Sequence, residues 1–286
     1  MKILLINHYA GSPNLGMEFR PYYVTKGWVK LGHEVLIVGG SYSHLRKVQP
    51  QSCEEMIDDM RYRWVKVNPY KGNGIGRIIS MFSFVTKLYC NYRRYLRNFK
   101  PDIVIASSTY PLDIYPAYRI ARHYHAKLIY EVHDLWPLSP MELGGYSKKH
   151  PFIRIMQKAE DDCYRYADAV VSMLPKAEEH MREHGLTRDK FHYVPNGIVL
   201  SDWNNPKGIP EEHGLLLSKL RAEGKFIVGF AGAHGIANSL YAVIDAVSSL
   251  TEQNVVLVLV GGGQEKENGM TEEQALNAAK VAAALQ

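Results

Sequence analysis

Lys2-Ile3-Leu4-Leu5-Ile6-Asn7-His8-Tyr9-Ala10-Gly11-Ser12-Pro13-Asn14-Leu15-Gly16 opens the chain. Four consecutive aliphatic residues leave no polar face, so Lys2–Asn7 reads as a strand buried on both sides. The run stops at polar Asn7-His8 and passes into a loop holding two glycines and a proline. Met17–Leu31 follows with helical spacing, placing Val24, Trp28 and Leu31 on one face and Pro21 in the first turn. A buried strand, a glycine-bearing turn and an amphipathic helix form the first half of a βαβ unit.

The same alternation continues outward from this stretch. Strands are expected at Glu34–Gly40, Trp64–Val67, Asp102–Ser107, Lys127–Val132, Ala169–Leu174 and Phe191–Val194. Helices are expected at Ile78–Phe99, Leu112–His125, Ile153–Ala167 and Lys176–His184. Ile/Val-rich runs interleaved with helices predict an α/β fold with a doubly wound parallel sheet. Ligands of such sheets bind beyond the carboxyl ends of the strands. The loops after Asn7, Ser107, Val132 and Leu174 are therefore the ones to search.

The first domain is expected to span 1–199 and a linker 200–224, where Pro, Gly, Asn and charge dominate. At 225–286 the pattern restarts, with strands at Lys225–Gly232 and Val255–Val260 around a helix at Asn238–Leu250. A capping box, Thr271-Glu272-Glu273-Gln274, announces a last Ala-rich helix. The stretch after the linker is short for a doubly wound domain, and the expectation is a second domain present only in its opening part.

Composition narrows the function class. Of 286 residues 46% are apolar, enough for a large core, and 34 basic against 29 acidic residues give a formal charge of +5. That excess is compatible with a phosphorylated substrate or an anionic surface, and no nucleic-acid-binding signature accompanies it. The three cysteines, Cys53, Cys90 and Cys163, are scattered without a Cys-x-x-Cys pair, which fits a reducing cytosol. The first apolar run is too short for a signal peptide, and no stretch approaches the length of a membrane span. A cytoplasmic protein is expected.

Three segments carry candidate chemistry. The loop 10–16 precedes a helix, and glycine lets backbone approach a ligand closely, but Gly-x-Gly-x-x-Gly is absent and a plain strand–helix turn explains it equally well. Glu131-Val132-His133-Asp134-Leu135-Trp136-Pro137 sits at the end of a central strand, where an imidazole beside carboxylates can bind a hydroxyl or orient a phosphate. Pro195-Asn196-Gly197-Ile198 makes a tight turn. A rival signal is His180-Met181-Arg182-Glu183-His184, the inverted zinc-peptidase pattern, with His180 and His184 as ligands and Glu183 as base but no third ligand evident. From Arg61 to Lys100 basic and aromatic residues interleave. Arg93, Arg94, Arg97 and Lys100 are the candidates for an anionic lipid surface, against a helix with a solvated basic face.

Taken together, several of these segments resemble the retaining GT-B glycosyltransferases of the large family four. They are Lys2–Tyr9, Gly11 to Gly16, Arg20-Pro21-Tyr22-Tyr23, Leu31-Gly32-His33-Glu34-Val35, Glu131–Pro137, Val194–Ile198 and Phe230-Ala231-Gly232 through Gly235. The closest branch is the capsule and O-antigen enzymes of the N-acetylfucosamine-transferase type. The resemblance implies two Rossmann-like domains, an acceptor side and a donor side, and transfer from a nucleotide-sugar to a polyprenyl-diphosphate-linked acceptor at the inner membrane surface. It implies no metal and no other cofactor. His133 would be the catalytic residue. Gly16, through its N–H, and Leu15 would meet the donor diphosphate, and Asn14, Glu18, Arg20, Asp134 and Asn196 the acceptor or the sugar. The family's acidic pair on the donor is not matched, since Glu265 and Glu273 have its spacing but not its location. Gly232–Asn238 lacks the Arg and Lys that many members place near the diphosphate. The alternative function is a non-catalytic acceptor- or membrane-binding domain.

Overall fold

A computed structural model describes residues 1–17, 20–72, 74–250, 254–263 and 281–285. The chain divides into two units, Met1–Gly197 and Ile198–Gln286.

The first unit is built on strands β1 (Lys2–Ile6), β2 (Glu34–Gly40), β3 (Glu54–Ile57), β4 (Met60–Val65), β5 (Ile103–Ala106), β6 (Lys127–Val132), β7 (Ala169–Ser172) and β8 (Phe191–Tyr193). They form one eight-stranded sheet in the order β3-β4-β2-β1-β5-β6-β7-β8, parallel throughout except for β3. The expected parallel sheet is present, with one addition. The hairpin β3–β4 turns through Asp58 and Asp59, both in the left-handed region, and sets an antiparallel strand at the edge. Acidic and short, Glu54–Ile57 has no buried alternation to announce it.

The opening strand is buried on both faces as its sequence predicts. Leu4 and Ile6 point to a cluster that holds Met81, Phe84 and Leu88 of α2 (Ile75–Leu96), Ala117 and Ile120 of α3 (Ile114–Tyr124), and Met156, Ala159 and Cys163 of α5 (Pro151–Tyr166). Ile3 and Leu5 point the opposite way, to Tyr22 and Trp28 of α1 (Arg20–Lys30). Helix α1 begins at Arg20 rather than at Met17, which instead bridges back to Ser12. A short helix not expected from the sequence, α4 (Leu138–Gly144), lies between β6 and α5, and α6 (Glu178–Glu183) lies between β7 and β8.

In the second unit, the stretch expected as a linker carries two helices, α7 (Leu200–Asn204) and α8 (Glu211–Ala222). Leu216, Leu217 and Leu220 of α8 pack on Ile227, Val256 and Val258, which gives the second helix its place although its apolar period is weak. Strands β9 (Phe226–Ala231), β10 (Val255–Val260) and β11 (Val281–Leu285) pair in parallel in the order β11-β10-β9. Helix α9 (Leu240–Ser248) covers the other face through Val243, Ile244 and Val247. Helices on both faces make this a second doubly wound layer. Of the Ala-rich helix expected from Thr271, the described part, Val281–Leu285, is instead strand β11, because it pairs with β10; the capping box, Glu265 and Glu273 fall outside the described residues.

Candidate functional site

Polar side chains collect at the carboxyl ends of β1, β5 and β6, the position that open parallel sheets reserve for ligands. Glu131, the penultimate residue of β6, is buried. Its Oε1 accepts from Arg20 Nε at 2.9 Å, and its Oε2 accepts from the Ser107 hydroxyl at 2.7 Å. His133 Nε2 lies 3.2 Å from Glu131 Oε2 and 3.0 Å from Ser107 Oγ. Burial alone would raise the Glu131 pKa. Hydrogen bonds and charge from His133, Ser107 and Arg20 outweigh it and hold the group at about 2. An ionised carboxylate only accepts, so His133 Nε2 carries the proton that faces it. Among the described residues nothing on the protein hydrogen-bonds to Nδ1, on the other side of the ring.

Arg20, the first residue of α1, joins three parts of the chain. Besides Glu131 it donates to the Pro195 carbonyl at 2.8 Å and to Asn196 Oδ1 at 3.3 Å. The tight turn at 195–197 is thus tied to the end of β6, and three of the expected residues, Arg20, His133 and Asn196, come together. Asp134 instead accepts from two side chains downstream, Trp136 Nε1 at 3.2 Å and Ser139 Oγ at 2.5 Å.

The glycine loop adopts a closed form. Pro13–Leu15 is a 3-10 turn, and the Gly16 N–H donates to the Pro13 carbonyl at 2.9 Å. The amide that the resemblance assigns to a diphosphate is therefore engaged within the loop. Gly16 has φ +66°, and a Cβ there would meet the Lys47 side chain at 2.8 Å, so this position admits only glycine comfortably. Leu15 is buried, Asn14 is exposed, and Glu18 lies outside the described residues. Buried Arg46 holds the loop by donating to the Ala10 carbonyl at 2.7 Å and to Gly40 at 3.0 Å while stacking on Trp64. Burial lowers its pKa to about 10, which leaves it charged at neutral pH.

Beside this loop stands an aromatic and basic wall that sequence reasoning missed. Arg77 donates to the Tyr9 hydroxyl at 3.1 Å, and its guanidinium faces the Tyr9 and Trp136 rings at 5.3 and 5.9 Å. His44 hydrogen-bonds Tyr70 at 2.8 Å next to them. Ser107 and Tyr9 could have been found, since both stand at the ends of predicted strands. Arg77 could not, because nothing in its local sequence says that α2 starts against β1.

The basic candidates for a lipid surface lie elsewhere. Arg93 and Arg94 occupy the last turn of α2, Arg97 pairs with Glu54 at 3.3 Å, and Lys100 is exposed. The chain runs from there directly into β5, where the Asp102 N–H meets the Lys2 carbonyl. They therefore stand at the amino end of the sheet, opposite His133. Among the described residues no helix is long and apolar enough to cross a membrane.

Comparison with known proteins agrees with this arrangement. The model of the glycosyl transferase 4-like domain matches residues 16–197. No curated protein matches. Among solved structures, sucrose-phosphate synthase from Thermosynechococcus elongatus is similar with a TM-score of 0.70 at 15% identity, covering 100% of this chain and 70% of that one. Anabaena Alr3699/HepE in complex with UDP-glucose gives 0.62 at 17% identity, over 100% and 69% of the two chains. The lipopolysaccharide outer core galactosyltransferase WaaB gives 0.57 at 16% identity, over 100% and 68%. At such identities the likeness carries the fold, which is that of the GT-B enzymes. The matched domain covers most of the chain, and the chain belongs to the glycosyl transferase 4-like family: it is a glycosyltransferase of the GT-B type.

Proposed function

We propose that this glycosyltransferase moves a sugar from a nucleotide-sugar to a lipid-linked acceptor during assembly of a bacterial surface polysaccharide of the capsule or O-antigen kind. The observation that carries the reading is the Ser107–Glu131–His133 cluster. It engages Nε2 of His133 and leaves Nδ1 to hydrogen-bond a hydroxyl of the transferred sugar or of the acceptor. Holding that hydroxyl orients the anomeric carbon while its bond to the diphosphate oxygen breaks and a bond to the acceptor oxygen forms. Positive charge develops on the sugar and negative charge on the departing diphosphate. Arg77 and exposed Lys47, at the rim of the Gly16 loop, are the nearby cations suited to phosphate. The transfer proceeds with retention and without metal, as the resemblance implies.

A polyprenyl acceptor also calls for an apolar approach. Ile75, Ile79, Phe82 and Tyr89 form an exposed stripe along α2, beginning near Arg77. The same stripe supports the second reading, a domain that binds acceptor or membrane without catalysis. Incubation of the protein with UDP-, GDP- or TDP-sugars and a polyprenyl-diphosphate-linked sugar separates the two. Product formation is expected, and His133→Ala lowers turnover on the order of 100-fold or more with the fold intact by circular dichroism. Unchanged turnover in that variant removes His133 from the chemistry. Acceptor binding without binding of any nucleotide-sugar selects the second reading.

A further inference from the structure

The helices around β7 carry a cluster that the transfer reaction does not use. His180 and His184 are one turn apart at the end of α6, with ring centroids 4.6 Å apart. Facing them on α5 is Glu160, whose side chain is 1% exposed. Its Oε1 lies 3.1 Å from His180 Nε2, and one ligand atom from each of Glu160, His180 and His184 lies within 4.8 Å of the other two. Asp161 adds an oxygen 3.1 Å from His184 Nδ1.

A carboxylate this deeply buried needs a compensating charge. Tyr164 donates its hydroxyl to Oε1 at 2.8 Å and Gln157 its amide to Oε2 at 2.8 Å, but both donors are neutral. Among the described residues the ion-pair partner of Glu160 is His180 and no Lys or Arg. Two imidazoles and a buried carboxylate, with a second carboxylate beside them, form the donor set that zinc prefers. Gln157 and Tyr164 already hold the carboxylate in place, as outer groups do around metal ligands.

We propose that Glu160, His180 and His184 bind a divalent transition-metal ion, zinc foremost, as three protein ligands with the fourth position left to water. Tetrahedral ligands around zinc stand about 3.4 Å apart. The His180–Glu160 spacing of 3.1 Å is close to this. Rotation of the half-buried His184 ring at the helix end closes the rest. The ion clips α6 to α5 and fixes the segment that leads through β8 to Pro195 and Asn196. It is no peptidase centre: Glu183, the base that such chemistry needs, is exposed and outside the converging set. None of the ligands belongs to the His133 cluster, so the clip stands whether or not the proposed transfer does.

The test is to strip the purified protein with a chelator, titrate it with zinc by calorimetry, and count bound zinc by elemental analysis. One zinc per chain is expected, with a raised Tm and, for cobalt in its place, the strong visible absorption of a four-coordinate site. Glu160→Gln and His184→Asn abolish stoichiometric binding, and Gln157→Leu weakens it roughly 10- to 100-fold. Should Glu160→Gln fail to fold, His184→Asn at the more open position decides. Zinc that binds His184→Asn with unchanged affinity overturns the proposal, as does less than stoichiometric zinc on the wild-type protein.

Discussion

The two ends of the eight-stranded sheet treat charge in opposite ways. At the amino end Lys2 pairs with Glu34 at 3.4 Å and Lys127 with Asp168 at 3.2 Å, all four side chains well exposed. At the carboxyl end Arg20 pairs with Glu131 at 2.9 Å, the two side chains 7% and 8% exposed. His8, Ser107, Ser108 and Asp113 are buried beside them. Water solvates the first set at little cost, whereas each member of the second is held only by its neighbours. Buried polar groups are expensive, and a fold concentrates them where a ligand is to be gripped. The contrast therefore locates the site without reference to any relative.

Removing one member of the buried pair should have the largest effect. Glu131→Ala leaves Arg20 buried without a counter-charge and is expected to cost about 3–5 kcal/mol by urea unfolding. The double variant Arg20→Met/Glu131→Leu recovers a large part of that loss, because no charge is then stranded. A loss below about 1 kcal/mol in Glu131→Ala would put this pair in the same class as Lys2–Glu34 and erase the contrast.

Much of this fold was legible from the chain itself. Runs such as Leu4-Leu5-Ile6 and Leu36-Ile37-Val38 read as two-face strands because both neighbouring layers are helical. Strand-end position pointed to His133. What stayed hidden depends on distant contacts. The edge strand Glu54–Ile57 exists because β4 offers it a partner, and α8 because a strand face needs covering. Arg20 and Asn196 could be named, but their meeting over Glu131 follows from the sheet order, which puts β1 and β6 either side of β5. The closed 3-10 turn at Pro13–Leu15, which engages the Gly16 amide, was likewise not readable from two glycines and a proline.

The next effect is a change in pH dependence. Asp113 is fully buried, and burial foremost pushes its pKa up to about 7. The folded protein keeps that proton after the unfolded chain, near 3.8, has lost it. Asp113 thus contributes stability that is full below about pH 4 and is lost as pH rises to about 7. Neighbouring His8 has its pKa lowered to about 3, by burial first and then by the charges of Arg46, Arg77 and His44. Its contribution runs the other way: it is present above about pH 6.5 and is lost as pH falls toward 3. In the wild type the two slopes oppose each other between these limits. Asp113→Asn exposes the His8 slope, and the stability difference between about pH 4.5 and 6.5 shifts by about 2 kcal/mol toward higher pH. Denaturant midpoints at the two pH values check this, and an unchanged difference would mean that Asp113 ionises at its ordinary value.

The smallest effect is expected at the amino end, and it is the one that can break the comparison. Lys127 reaches Asp168 across open solvent, so Lys127→Ala should cost no more than about 0.5 kcal/mol and less in high salt. Asp168 keeps its other role in that variant, since its Oδ2 still accepts the Leu128 N–H at 2.8 Å. Asp168→Ala removes that bond as well and should cost about 1 kcal/mol, so the difference between the two variants isolates the Leu128 hydrogen bond. Both residues also line a cavity of about 570 Å³ together with Arg122, His125 and Arg165. If the carboxyl end alone binds substrate, Lys127→Ala leaves turnover and KM at the wild-type level despite facing that cavity. A raised KM with unchanged stability would mean that the amino end also handles an anionic substrate, and burial of charge would no longer tell the functional end of the sheet from the structural one.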